Sequence, residues 1–254
     1  MYVIGDVHGQ LQKLTRLLSD AGLLGDAQRW AGGDANLLFI GDYVDRGPDG
    51  VGVIELVMRL QREAEAAGGT VHALLGNHDA LILAARRFGG TYWVESWERN
   101  GGNHADLARL GDEHIEWITG QPAMLRVDDV LYAHADATFY TCDGDTIEAV
   151  NEAFAKLLRG SDECAWDRLL DDFSERHAFD GANGEASATR FLRQYGGEQL
   201  IHGHTPIQKV TGAPPEEVTR AHVYASGACV NVDGGMYLGG PGFVHCVPRA
   251  VRHS

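Results

Sequence analysis

Six side chains able to hold a metal ion, Asp6, His8, Asp42, Asn77, His134 and His204, each follow a short apolar run, although they lie far apart in the chain. Carboxylate, amide oxygen and imidazole together suit borderline-hard divalent ions such as Mn, Fe or Zn better than Ca or a thiolate-bound metal. One carboxylate can bridge two ions, and Asp42 stands centrally in the set. Two such ions roughly 3.5–4 Å apart would activate a water held between them and clamp the oxygens of an in-line displacement at phosphorus. That chemistry needs no protein nucleophile, and no Ser or Cys stands in a recognisable nucleophile motif. Singly, each residue reads as turn chemistry or a hydrogen-bonded histidine. Five apolar runs that each end in a ligand-competent residue are not explained by turns alone.

For such distant residues to meet, something must gather them, and open α/β sheets collect ligands outside the carboxyl ends of their strands. The runs Tyr2–Ile4, 36–40, 70–75, 130–133 and 199–201 predict strands that end at these residues. Between them, Leu11, Leu14, Leu17 and Leu18 mark one helix face. Residues 51–67 predict a second helix, with Pro48 near its start and Gly68-Gly69 as its stop, and 80–87 a third. The later runs 223–224, 229–232 and 243–247, separated by Gly and Pro, read as antiparallel strands. The expected fold is therefore α/β, a central sandwich of two mixed sheets flanked by helices. Residues 88–120 and 160–197 are less regular and read as helical or loop excursions at the rim of the site. With no internal repeat and no Pro/Gly/Ser linker, 1–254 is expected to form one domain.

The net charge of -15 opposes binding to nucleic acid or an anionic membrane, so neither is expected as a partner. It also means that a phosphate site must bring its own positive charge, which bound divalent cations supply. A hydrophobic share of 44% is that of a globular protein. The four cysteines form no C-x-x-C pair, and the opening Met1-Tyr2-Val3-Ile4-Gly5-Asp6 lacks the basic and apolar stretch of a signal peptide. Both features predict a cytoplasmic protein.

The stretches Gly5-Asp6-Val7-His8-Gly9, Gly41-Asp42-Tyr43-Val44-Asp45-Arg46-Gly47, Gly76-Asn77-His78-Asp79, Tyr132-Ala133-His134 and Gly203-His204-Thr205-Pro206, in this order, resemble the metal-dependent phosphoprotein phosphatases among the calcineurin-like metallophosphoesterases. The resemblance implies a β-sandwich with a dinuclear site above the strand ends. It implies Asp6, His8 and Asp42 on the first ion and Asp42, Asn77, His134 and His204 on the second, with Mn favoured and Fe, Zn or Mg as alternatives. It further implies that His78 is the general acid, oriented by Asp45, and that Arg46 binds phosphate. Ala165-Trp166-Asp167-Arg168 is similar to the Trp-x-Arg element of bacterial relatives, which nominates Arg168 as a second phosphate-binding arginine over Arg176, Arg190 and Arg193. The implied substrate is a phosphoprotein, a phosphopeptide or a small phosphate ester.

Three features depart from that pattern. Asp79 stands where protein-directed members generally have Glu, Ala135-Asp136 follows His134 where many relatives have Gly, and the chain lacks the long carboxy-terminal portion of the eukaryotic enzymes. The first two suggest an altered substrate-facing wall. His202 has no role in the implied set and reads as a ligand-orienting or a packed histidine. Two rival functions remain, a diadenosine polyphosphate hydrolase of the same fold and a catalytically silent metal-binding module. The intact Asp45-His78 pair speaks against both.

Overall fold

The structure, a computed structural model, describes residues 1–248. Along the chain these form β1 (Tyr2–Ile4), α1 (Leu11–Asp20), β2 (Asn36–Phe39), α2 (Gly50–Ala66), β3 (Thr70–Ala73) and α3 (Asn77–Phe88). There follow α4 (Gly90–Arg99), α5 (His104–Arg109), α6 (Asp112–Thr119), β4 (Met124–Val127), β5 (Val130–Ala133), α7 (Ile147–Arg159), α8 (Glu163–Asp172) and α9 (Gly184–Tyr195). The last elements are β6 (Gln199–His202), α10 (Ile207–Thr211), β7 (His222–Tyr224), β8 (Cys229–Asn231) and β9 (His245–Cys246).

Two sheets result, in the orders β3-β2-β1-β9 and β4-β5-β6-β8-β7. Their inner strands are near-continuous apolar runs because both faces are covered. Val3, Leu38, Ile40, Leu74, Tyr132, Ile201, Val230 and Val232 form one buried layer drawn from both sheets. Their neighbours in sequence, Ile4, Leu37, Phe39, Leu131, Ala133 and Leu200, turn the other way and pack with the helices. Each of the larger of these side chains stabilises the fold by roughly 1.5–3 kcal/mol on burial. Within the sheets β1, β2 and β3 are parallel, as are β5, β6 and β8, so the strands that precede the polar residues share a direction. Among the described residues no helix is long and apolar enough to cross a membrane.

Three local readings change. Residues 229–232 do contain a strand, but β8 runs parallel to β6 and antiparallel only to β7. Its carboxyl end, at Asp233, therefore joins the polar edge. The strand β4 has no counterpart among the expected elements; it is a hairpin partner of β5 across the turn Asp128-Asp129, with Asp128 at φ 53°. It lies at the edge of its sheet with Arg126 exposed, so only one face had to be apolar. Finally, α3 begins at Asn77 instead of Ala80. Asp79, in its first turn, accepts the N–H of Gly76 at 2.9 Å and so caps the helix early.

Candidate metal centre

The two sheets meet at their carboxyl ends through specific bonds. Gly203 N–H donates to His134 O at 2.9 Å, joining β5 to β6. Across the sandwich, His204 N–H donates to both Asp6 oxygens at 3.1 and 3.0 Å, and His134 Nδ1 lies 3.1 Å from the Ile40 carbonyl oxygen. These approaches leave no room for a side chain: a Cβ on Gly203 would collide with Asp6 Oδ1, and one on Gly76 with Asp42. Five polar residues at this edge, His8, Asp42, Asp45, Arg46 and His204, hold left-handed backbone with φ between 46° and 70°. Non-glycine residues in that region cost of order 1–3 kcal/mol each, and such costs cluster where geometry serves a ligand.

Asp42 lies at the centre. Its Oδ2 is 3.5 Å from Nε2 of His8 and 3.5 Å from Nε2 of His134, and its Oδ1 accepts the N–H of His78 at 2.8 Å. Two clusters share it: His8, Asp42 and His78, and Asp42, His134 and His204, each with ligand-type atoms within 4.8 Å of one another. Asn77 Oδ1 completes the second, 3.0 Å from both His134 Nε2 and His204 Nδ1. Asp6 belongs to neither cluster; its two carboxylate oxygens accept the N–H of His204.

The protonation states suit cation binding. Burial alone would raise Asp42, but His134, His78, His8 and Arg46 hold its carboxyl well below the usual carboxylate range. Burial pushes His8, His134 and His204 below the ordinary histidine range and so favours the uncharged imidazole that can ligate a cation. Nδ1 of His8 lies 3.0 Å from Val44 O and that of His134 3.1 Å from Ile40 O, which makes Nδ1 the protonated nitrogen and frees Nε2 as a ligand. One shared carboxylate, an amide oxygen and neutral imidazoles fit two divalent ions.

Next to the clusters, His78 Nδ1 is 2.9 Å from Asp45 Oδ2, and the Trp97 indole donates to Asp45 Oδ1 at 2.7 Å. Burial pushes Asp45 up to about 8 against the Trp97 bond, and burial pushes His78 down to about 3 against the pull of Asp42. Each resists charge, so the pair favours one proton shared between Oδ2 and Nδ1. Arg46 reaches the same place, with Nη1 2.8 Å from His8 Nε2 and Nη2 2.6 Å from His78 Nε2. Its guanidinium lies 4.4 Å from the centre of the Tyr237 ring, and the main-chain N–H of Arg46 donates to Gly101 O at 2.7 Å.

The nominated Arg168 is not brought here. It is exposed on α8, and its Nε donates to Cys164 O of the same helix at 3.3 Å. Arg176 lies exposed in the loop after α8, its guanidinium donating to Ser174 O at 3.3 Å; after burial, its charge contributes to holding His78, His134 and His204 low. That loop is docked on the turn beyond His134. Glu175 accepts the N–H groups of Thr138 and Phe139, both at 2.9 Å, and Ala178 N–H donates to Asp136 O at 3.1 Å. Asp79 does not line a substrate wall. It is fully buried and accepts three main-chain N–H groups, of Asp42, Tyr43 and Gly76, at 2.9 Å each. Asp136 is likewise buried, 3% exposed.

Sequence reasoning missed Trp97, Tyr237 and Asp233. Asp233 is fully buried against Asp6, and burial pushes it up to about 7. A signal for it existed: Val230-Asn231-Val232-Asp233-Gly234 repeats the pattern of an apolar run ending in Asp beside Gly. For Trp97 and Tyr237 no local pattern points to the site.

A family profile described as calcineurin-like phosphoesterase matches residues 1–208. Among curated proteins, Shewanella-like protein phosphatase 2 of Arabidopsis thaliana is 37% identical over 83 residues, 33% of this chain and 21% of that protein. The symmetrical bis(5'-nucleosyl)-tetraphosphatase of Pectobacterium carotovorum subsp. carotovorum is 34% identical over 142 residues, 54% of this chain and 43% of that protein. The chain thus spans less than half the length of either. Among solved structures, the cold-active protein-tyrosine phosphatase of a psychrophilic Shewanella species has the same fold, with a TM-score of 0.75 at 22% identity over 96% of this chain and 73% of that one. Since the matched stretch runs from the first strand through His204 and so takes in both clusters around Asp42, the chain belongs to the calcineurin-like phosphoesterase family.

Proposed function

We propose that this chain is a dinuclear-metal phosphatase that hydrolyses phosphomonoesters, phosphorylated serine and threonine side chains among them. The observation that carries this reading is the position of Asp42 Oδ2, 3.5 Å from an imidazole nitrogen of each cluster, where one carboxylate can serve two ions. Asp6, His8 and Asp42 would hold the first ion, and Asp42, Asn77, His134 and His204 the second. Mn is our first choice, with Fe, Zn and Mg as alternatives. Bound there, the ions supply Lewis-acid stabilisation of phosphoryl oxygens and an activated water. The chain's own part is to bind and to move a proton. The Arg46 fork fits a terminal phosphate. His78, backed by Asp45 at Nδ1, would carry from Nε2 the proton that an alkoxide or phenoxide leaving group requires.

For the second phosphate-binding arginine we favour Arg176 over Arg168, because its charge acts on three histidines of the site. Arg176→Ala is expected to lower kcat/KM for an aryl phosphate by about 10²–10³-fold, the usual result of removing one group that stabilises developing charge. Arg168→Ala should leave it unchanged. The opposite outcome in this pair of steady-state assays would return the role to Arg168.

A second reading, hydrolysis of a dinucleoside polyphosphate, draws on the likeness to bis(5'-nucleosyl)-tetraphosphatases. The His78-Asp45 pair weighs against it, since a nucleotide is already a good leaving group and needs little help from an acid. The net charge of -15 also disfavours a polyanionic ligand as it approaches. With Mn present, the kcat/KM for a phosphopeptide should exceed that for a diadenosine polyphosphate. A ratio well below one would overturn the phosphomonoester reading in favour of the anhydride.

A further inference from the structure

Two buried residues have no part in the chemistry above, although each lies two positions from a ligand histidine. Asp136 follows His134 at the end of β5, and His202 precedes His204 at the end of β6; they are 3% and 1% exposed. Both touch one phenol. Tyr224 OH donates to Asp136 Oδ2 at 3.1 Å, and the Tyr224 phenol oxygen lies 2.8 Å from His202 Nε2. His202 Nδ1 is in turn 3.0 Å from Gly203 O.

Sheet register explains how an edge strand reaches this far. Tyr224 pairs with Cys229 across β7 and β8, and Cys229 pairs with Leu200 across β8 and β6. The three side chains share one face, and His202, two residues beyond Leu200, lies on the same face. The phenol spans diagonally from β7 over β8 to the carboxyl ends of β6 and β5. It thereby ties together the two turns that carry His134 and His204, whose facing nitrogens are 3.2 Å apart.

A small cavity adjoins this corner. Asp136, His202, Thr205 and Tyr224 line a cavity of about 10 Å³, room for one water. Asp136 Oδ1 and Thr205 Oγ1 are buried there with no hydrogen-bond partner on the protein. Where atoms have space on one side, a hydrogen bond carries the positional restraint that close packing supplies elsewhere.

We infer that Tyr224 is a positioning residue for the second ion: its hydroxyl, shared by Asp136 and His202, holds the His134 and His204 turns at the spacing that ion requires. The inference rests on the dinuclear reading above. The edge of the sheet that is remote from substrate would then tune one half of the metal pair and leave the other half alone.

Tyr224→Phe removes the hydroxyl and keeps the ring, which packs edge-on to His202 and parallel to His222. Metal-stripped parent and variant would be titrated with Mn by calorimetry, and bound Mn counted after desalting. The parent should take up two ions. In the variant one ion should bind about 10–100-fold more weakly, the usual effect of losing a group that orients a ligand, with the other unchanged. His202→Leu should reproduce this, and His202→Gln, whose amide can still meet the Tyr224 hydroxyl, should largely restore the affinity. Parent-like binding of both ions by Tyr224→Phe and His202→Leu would overturn the inference, as would equal weakening of both ions, which marks a general loosening of the site. A parent that binds fewer than two ions would instead refute the dinuclear reading, and the inference with it.

Discussion

Replacing Asp42 by Asn is expected to empty both ion positions and to lower turnover of an aryl phosphate by at least about 10³-fold, while the fold survives. The fold survives because an amide can replace each bond that the carboxylate makes. The Asn oxygen can keep the bond from His78 N–H, made by Asp42 Oδ1 at 2.8 Å. The amide NH₂, standing where Oδ2 lies 3.5 Å from Nε2 of both His8 and His134, would turn its two hydrogens on those lone pairs. The ligands would then be satisfied without a cation, and the one buried charge common to both clusters would be gone. Ion content after desalting from Mn, thermal melting of the metal-free protein and kcat together check the prediction. A folded variant that keeps two ions and near-normal turnover would show that Asp42 is not the bridge.

The second large effect concerns the proton. His78→Ala should lower kcat by about 10²–10⁴-fold on alkyl phosphates, the range for loss of a general acid, and by much less on nitrophenyl phosphate. A phenoxide stabilised by its nitro group departs without a proton, so the contrast between substrates isolates the acid's contribution. Ion content makes the test sharper, because His78 also lies within 4.8 Å of His8 and Asp42 ligand atoms and could itself be taken for a ligand. Two retained ions with a leaving-group-dependent loss support the acid; a lost ion with equal losses on both substrates would make His78 a metal ligand instead. Asp45→Asn should follow the same trend, since the carboxyl reaches the chemistry only through His78 Nδ1 at 2.9 Å.

Much of the candidate site was legible because its parts are local. Asp6, Asp42, Asn77, His134 and His204 each end an apolar run, and a run buried on both faces is unmistakable in sequence. The same logic, carried one strand further, would have reached Asp233. It stopped because so short a run between glycines carries no information about whether its neighbour lies parallel or antiparallel. That is decided by β8 inserting between β6 and β7, and so by contacts made across the sheet.

Other features depend on pairs of residues with no periodic relation. Arg176 is one charge in an irregular loop whose place is fixed by the docking of Glu175 and Ala178 on 136–139, whereas Arg168 is held on a regular helix by its own Cys164 carbonyl. Trp97 meets Asp45 from 52 positions away, and Tyr224 meets Asp136 from 88. Asp79 looked like a variable of the substrate wall and proved to be a buried clamp on three main-chain N–H groups, a role set by how closely the loops after β2 and β3 approach. The sequence by itself determined which residues could bind metal and that strands would deliver them to one edge, because burial and periodicity act over a few neighbouring residues. Only the tertiary structure decided that β8 lies beside β6 and brings Asp233 to the same edge, that Trp97 backs Asp45 and what holds the ligands in place, because those depend on distances between segments that nothing local in the chain encodes.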